Sequence, residues 1–85
     1  MDPQPPASLD RLPVGSAAIV VSVAGEHRAA LTREGVVAGQ GIVVEEVAPF
    51  GGPLVLGVGR ARLALARSVA RTIEVRTTGL ETTGR

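Results

Sequence analysis

Apolar and polar residues alternate along most of the chain with a period near two, and glycine or proline interrupts the alternation at short intervals. Leu9 and Leu12 lead into Pro13-Val14-Gly15, a turn signal. Ser16 to Val23 is rich in β-branched residues, which suit a pleated, half-buried surface. Ile19, Val21 and Val23 share one face and Ala18, Val20 and Ser22 the other, predicting a strand with one deeply buried side and one partly covered side. Gly25 ends it. Glu26 to Glu34 contains good helix formers and no Gly or Pro, predicting a short helix with Ala30 and Leu31 facing inward and His27 one turn back. Gly35 follows where a left-handed helix cap belongs. So short a helix cannot hold alone and must dock on the sheet.

After Gly39-Gln40-Gly41, Ile42 to Val47 predicts a second strand. Strict alternation puts Glu45 with Val43 and Val47, and Glu46 with Ile42 and Val44. A charge on each face points to an open edge or a bulge. Pro49-Phe50-Gly51-Gly52-Pro53 is a strong turn signal. Leu54, Leu56 and Val58 then alternate with Val55, Gly57 and Gly59, so the third strand has a small-residue face, which close backbone approach or strong curvature explains. Arg60-Ala61 predicts a hairpin tip, Arg62 to Leu65 a returning strand, Arg67 to Arg71 one helical turn, and Thr72 to Arg76 a last strand. Five short strands with one short helix predict a mainly β fold, a small barrel. Gly15, Gly35, Gly39 and Gly52 are its expected turn glycines. Residues 1–8 hold three prolines and predict a disordered lead-in; residues 77–85 repeat Thr-Thr-Gly and predict a flexible tail. The expected domain spans residues 9–76.

Composition limits how this fold can be held together. The chain has 85 residues, enough for one small domain, and 45% of them are apolar. Phe50 is its one aromatic residue, so Val, Leu, Ile and Ala must build the core. Without cysteine there is no disulfide and no thiolate zinc site. The acidic, proline-rich start is the reverse of a signal peptide. The longest apolar run, Ala17 to Val21, is far below the roughly 18 residues that span a bilayer. A cytoplasmic location is therefore expected. Net charge is only +1, but it is unevenly spread. From Arg60 to Arg76 five arginines face Glu74 alone, a local +4; from Glu26 to Glu46 four glutamates face two arginines, a local −2.

Catalysis finds little support. With no Cys, no Tyr and a single His, nucleophile-and-base pairs are nearly excluded. Ser8, Ser16, Ser22 and Ser68 would each need His27 and a third group, and no Gly-x-Ser-x-Gly surrounds any of them. Gly57-Val58-Gly59 begins like a dinucleotide fingerprint, yet Arg62 stands where the third glycine belongs and no βαβ unit surrounds it. The expectation is a non-enzymatic chain with no cofactor and no metal site. The candidate ligands are His27 beside Glu26 and Glu45 beside Glu46. Strand neighbours point to opposite faces, and helix neighbours do not face each other, so neither pair should chelate one ion. Single-strand binders stack bases on aromatics, for which only Phe50 and His27 are at hand, so no specific nucleic-acid partner is expected. Phe50 either folds back on the barrel or stands out as an apolar anchor for a partner protein.

The ordered set of elements resembles the FeoA family, the small SH3-like domains of bacterial ferrous-iron uptake. The resemblance rests on Leu9, Leu12 and Gly15, the strand Ile19 to Val23, Leu31 with Gly35, and Gly39. It continues through Ala48-Pro49, Gly52-Pro53, Ala64-Leu65, Arg67, Ala70 and Ile73-Glu74-Val75. Three positions depart from the family pattern: Arg33-Glu34-Gly35 replaces Leu-Gly, Ala38-Gly39 replaces Pro-Gly, and Ala66 splits Leu65 from Arg67. The resemblance implies a small SH3-like β-barrel of about five strands with one short α-helix. It also implies a cytosolic accessory acting on FeoB, a membrane transporter with a cytoplasmic GTP-binding domain. Phe50, Arg60 and Arg62 are the expected contact, an apolar anchor ringed by cations, with the membrane reached only through the partner. Self-association through an open edge strand is a further expectation. An alternative is a regulatory module acting on a DtxR-type metal-dependent repressor, which carries a similar SH3-like domain. With no helix-turn-helix, the chain could not read DNA alone. A third reading is a non-specific RNA-binding barrel.

Overall fold

The computed structural model describes residues 6–78, so residues 1–5 of the expected lead-in and 79–85 of the expected tail lie outside the described residues. Six strands, β1 (Ala7–Ser8), β2 (Ala17–Val23), β3 (Gly41–Val47), β4 (Leu54–Val58), β5 (Ala61–Leu65) and β6 (Ile73–Thr77), form one sheet. Its order is β1-β6-β2-β3-β4-β5, with every neighbouring pair antiparallel. A 3-10 turn covers Leu9–Arg11, and two short helices, α1 (Arg28–Arg33) and α2 (Arg67–Ala70), lie between strands. The expected five strands become six because Ala7 and Ser8 pair with Val75 and Glu74. The last strand likewise runs on to Thr77, and the Thr78 N–H donates to the Ala17 carbonyl. The strands thus run from Ala7 to Thr77.

One sheet can bury its inner face only by curling. Ala18, Val20, Ile42, Val44, Leu54, Leu56, Val58, Leu65, Ile73 and Val75 all join a single cluster, closed at its ends by Leu9, Leu31, Val36 and Ala70. Two bulges bend the strands, one in β2 between Val20 and Ser22 and one in β3 between Val44 and Glu46. In β2 the buried side is the Ala18–Val20 face, while Ile19 is 38% exposed. Cross-strand pairing fixes this: Ala18 sits opposite Ile42 and Val20 opposite Val75, all inward. Beyond the bulge the register shifts and Val21 and Val23 become half-buried.

Helix α1 is shorter than expected, beginning at Arg28, and only Leu31 of its predicted inner pair is buried; Ala30 is exposed. A helix touching the sheet along one narrow line buries one residue per turn. Its end is well specified. Gly35, at φ +92°, donates to the Thr32 carbonyl and the Val36 N–H donates to the Leu31 carbonyl. That is the Schellman pattern, with the apolar contact between Leu31 and Val36 buried in the core.

Candidate functional site

The Pro49–Gly52 segment is a tight turn closed by the Gly52 N–H on the Pro49 carbonyl at 3.1 Å. Its two central residues, Phe50 and Gly51, have φ of +59° and +75°, the pattern of a type I′ hairpin turn. Positive φ is ordinary for Gly51 but rare for a bulky residue. The turn turns the Phe50 ring away from the protein, and it is fully exposed. Gly52 is needed for a different reason: a Cβ there would lie 2.8 Å from the Ala48 Cβ and 3.2 Å from the Pro49 carbonyl oxygen. Gly15 and Gly39, by contrast, have φ of +93° and +92° with open space around them.

The β4–β5 hairpin ends in Gly59-Arg60, one residue earlier than expected, because Val58 pairs with Ala61. Gly59 at φ +60° supplies the first central position of a type II′-like turn. Arg60 is exposed at this tip and has no hydrogen bond or ion pair among the described residues. Arg62, on the outer face of β5, is occupied. Its Nε donates to Glu45 Oε1 at 2.7 Å and its Nη2 to Glu46 Oε2 at 3.2 Å. The expectation that Glu45 and Glu46 point to opposite faces is thus corrected. The β3 bulge inserts Glu45 as an extra residue, so both carboxylates lie outward and converge on one guanidinium. These bonds, to Glu45 first and then Glu46, raise the Arg62 pKa above its ordinary value. Gly57 lies between, on β4 opposite Arg62 and Val43, and a Cβ there would overlap the Glu45 carboxylate. Of the two strand glycines, Gly57 therefore clears a path for this fork and Gly59 makes the turn.

Phe50 and Arg60 do not stand side by side. Phe50 lies at the turn entering β4 and Arg60 at the turn leaving it, so the five residues of β4 separate them by about 16 Å at about 3.3 Å per residue. A different arginine reaches the base of the Phe50 turn. Arg67 Nη1 donates to the Asp10 carbonyl at 3.3 Å and Nη2 to the Ala48 carbonyl at 3.5 Å, and Arg71 Nε lies 3.6 Å from Asp10 Oδ2. This brace ties α2, the 3-10 turn and the base of the Phe50 turn together. Sequence reasoning missed it because its acceptors are backbone carbonyls distant in the chain.

Two grooves flank α1. One, of about 430 Å³, runs between α1 and the second half of β2, with Val21, Val23, Arg28 and Val37 on its walls. The other, of about 250 Å³, lies among α1, β5 and α2, and is lined by Ala30, Leu31, Leu63 and Val69, with His27 and Glu34 at the rim. It opens along β5, the last strand of the sheet, whose outer edge has no neighbouring strand among the described residues. His27 Nε2 lies 3.9 Å from Glu26 Oε2, and no three His, Asp or Glu side chains gather among the described residues. Ser8, Ser16 and Ser22 donate to Asp10, the Pro13 carbonyl and Glu74, and none bonds to His27.

A family model described as the FeoA domain matches residues 7–77, from the first residue of β1 to the last of β6. No curated protein matches the chain. Among solved structures, an iron uptake regulatory protein (FeoA) is 30% identical with a TM-score of 0.79, covering 87% of this chain and 99% of its own. The FeoA of Stenotrophomonas maltophilia, complexed with zinc and described as a procaryotic SH3 domain protein, is 32% identical. It has a TM-score of 0.72 and covers 81% of this chain and 88% of its own. A manganese-dependent transcriptional repressor shares the fold at 18% identity and TM-score 0.78, covering 91% of this chain and 44% of its own. The six-stranded curled sheet is thus SH3-like, and the chain belongs to the FeoA family.

Proposed function

We propose that this protein is a non-enzymatic accessory of bacterial ferrous-iron uptake that works in the cytoplasm by direct contact with the FeoB-type, GTPase-linked transporter. The observation that carries this reading is the FeoA match across the entire described fold. No helix among the described residues is long and apolar enough to cross a membrane, in keeping with a protein that reaches the membrane through a partner. The β4–β5 hairpin is the contact we assign to the transporter. Arg60 is displayed at its tip, and Arg62 is oriented on the adjoining face by two carboxylates. A pre-positioned guanidinium loses less freedom on docking than a mobile one, which favours affinity.

Binding of the full chain to the transporter in nanodiscs, with GDP and then a GTP analogue, tests this. Saturable binding that changes with nucleotide is expected, weakened at least tenfold by Arg60→Glu. Absence of binding in both states, with an active transporter, overturns the reading.

A further inference from the structure

The Phe50 tip and the groove beside β5 share one end of the molecule. Leu54 at the start of β4 pairs with Leu65 at the end of β5, and Arg67 of α2 reaches the Ala48 carbonyl at the base of the turn. The tip therefore projects near the α2 end of the groove, yet Phe50 does not enter it, being fully exposed. One molecule thus carries an apolar knob without a hole and an apolar hole without a knob. We propose that two copies fill each other: a two-fold dimer in which Phe50 of each copy seats in the β5 groove of the other, against Ala30, Leu31, Leu63 and Val69.

Size, lining and charge all fit. The groove, of about 250 Å³, equals roughly eight water volumes at about 30 Å³ each, room for one side chain, and a phenylalanine enclosed there buries roughly 150–250 Å². The lining is aliphatic apart from the His27 and Glu34 rim. Arg67 reaches the base of the knob, while Glu34 and His27 line the hole, with Glu26 beyond His27. A cation beside the knob thus meets an acidic rim. The backbone supports the same assignment. Phe50 adds nothing to its own core, yet it holds a rare left-handed conformation that fixes the ring outward, and such strain gathers at working surfaces. Because knob and hole lie at one end, reciprocal exchange closes at two copies; at opposite ends they would build open filaments. The exchange also covers the open edge of β5.

One ring per contact makes a weak dimer, so the test spans low micromolar to millimolar protein. In sedimentation equilibrium the full chain should rise from the monomer mass of 8.7 kDa toward a dimer and stop there. Phe50→Ser and Ala30→Arg change exposed positions and leave folding intact, checked by far-UV circular dichroism. Each should stay monomeric where the unaltered chain dimerises. Unlabelled Ala30→Arg, which keeps its Phe50, should shift the Leu63 and Val69 amide resonances of labelled Phe50→Ser, which keeps its groove. Phe50→Ser added unlabelled to itself should not. A monomer at millimolar concentration, a dimer that survives both substitutions, growth beyond two copies, or no shift in the mixed pair each overturns the proposal. None of these outcomes bears on the transporter contact, which uses the opposite end of β4.

Discussion

Replacing the one aromatic residue of this protein should make it more stable. In most folds, truncating a phenylalanine costs about 3–5 kcal/mol because a cavity is left behind. Phe50 is fully exposed, so there is no cavity and no lost burial. What remains is its backbone, held at φ +59° in a turn whose next residue is Gly51 at +75°. A left-handed conformation costs a typical non-glycine residue about 1–2 kcal/mol, and asparagine is among the few that tolerate it. Phe50→Asn would create Asn-Gly, the pair that type I′ turns prefer. Most of the strain should be relieved, a gain of about 0.5–1 kcal/mol. Phe50→Gly relieves as much but gains entropy in the unfolded chain, so it should fall between Asn and the parent. Phe50→Ala keeps the penalty and should change stability by less than about 0.5 kcal/mol. Urea unfolding followed by far-UV circular dichroism suits a chain without Trp or Tyr. With a slope near 1 kcal/mol/M for so small a domain, the Asn midpoint should rise by about 0.5–1 M. Protein must be kept dilute, because association would add its own stabilisation. A fall of about 1 kcal/mol for Phe50→Asn would show that the ring is packed in solution, and the reasoning would fail.

Other substitutions test the packing that surrounds these surfaces. Gly52→Ala should cost about 1–3 kcal/mol by overpacking, and Ala48→Gly should rescue much of it, since the clash is Cβ on Cβ. Gly15→Ala, where only backbone conformation is at stake, should cost about 1–2 kcal/mol with no such rescue. Leu56→Ala empties a fully buried position and should cost about 2–5 kcal/mol, readable as a large drop in thermal midpoint. Arg67→Ala removes the donor to the Asp10 and Ala48 carbonyls; a loss of about 1–3 kcal/mol is expected, with faster amide exchange at Ala48 and Leu12. Arg67→Lys should not rescue it, because a single ammonium lacks the planar fork that spans both carbonyls.

Much of this protein is legible in its sequence because short-range geometry leaves few choices. Alternating valines and leucines can only be strands, Gly35 can cap α1 because it tolerates positive φ, and a chain without Cys or Trp must build its core from aliphatic residues. The ordered turn and core residues also carry the family resemblance. What the sequence left open follows from pairing across the sheet. Alternation names two faces of β2 but not which is inner; opposition of Ala18 to Ile42 and Val20 to Val75 decides it. A single bulge in β3 brings Glu45 and Glu46 together on Arg62 against the period-two rule, because one inserted residue flips the face of those beyond it. Phe50, Arg60 and Arg62 were expected to form one contact, but β4 runs between Phe50 and Arg60, and it is Arg67, from the far end of the chain, that reaches the base of the Phe50 turn. Residue type and local spacing were enough to mark most of the strands, the α1 cap and the aliphatic core. Which side chains meet is settled in three dimensions, because contact between distant residues depends on register, bulges and strand order, which no local pattern encodes.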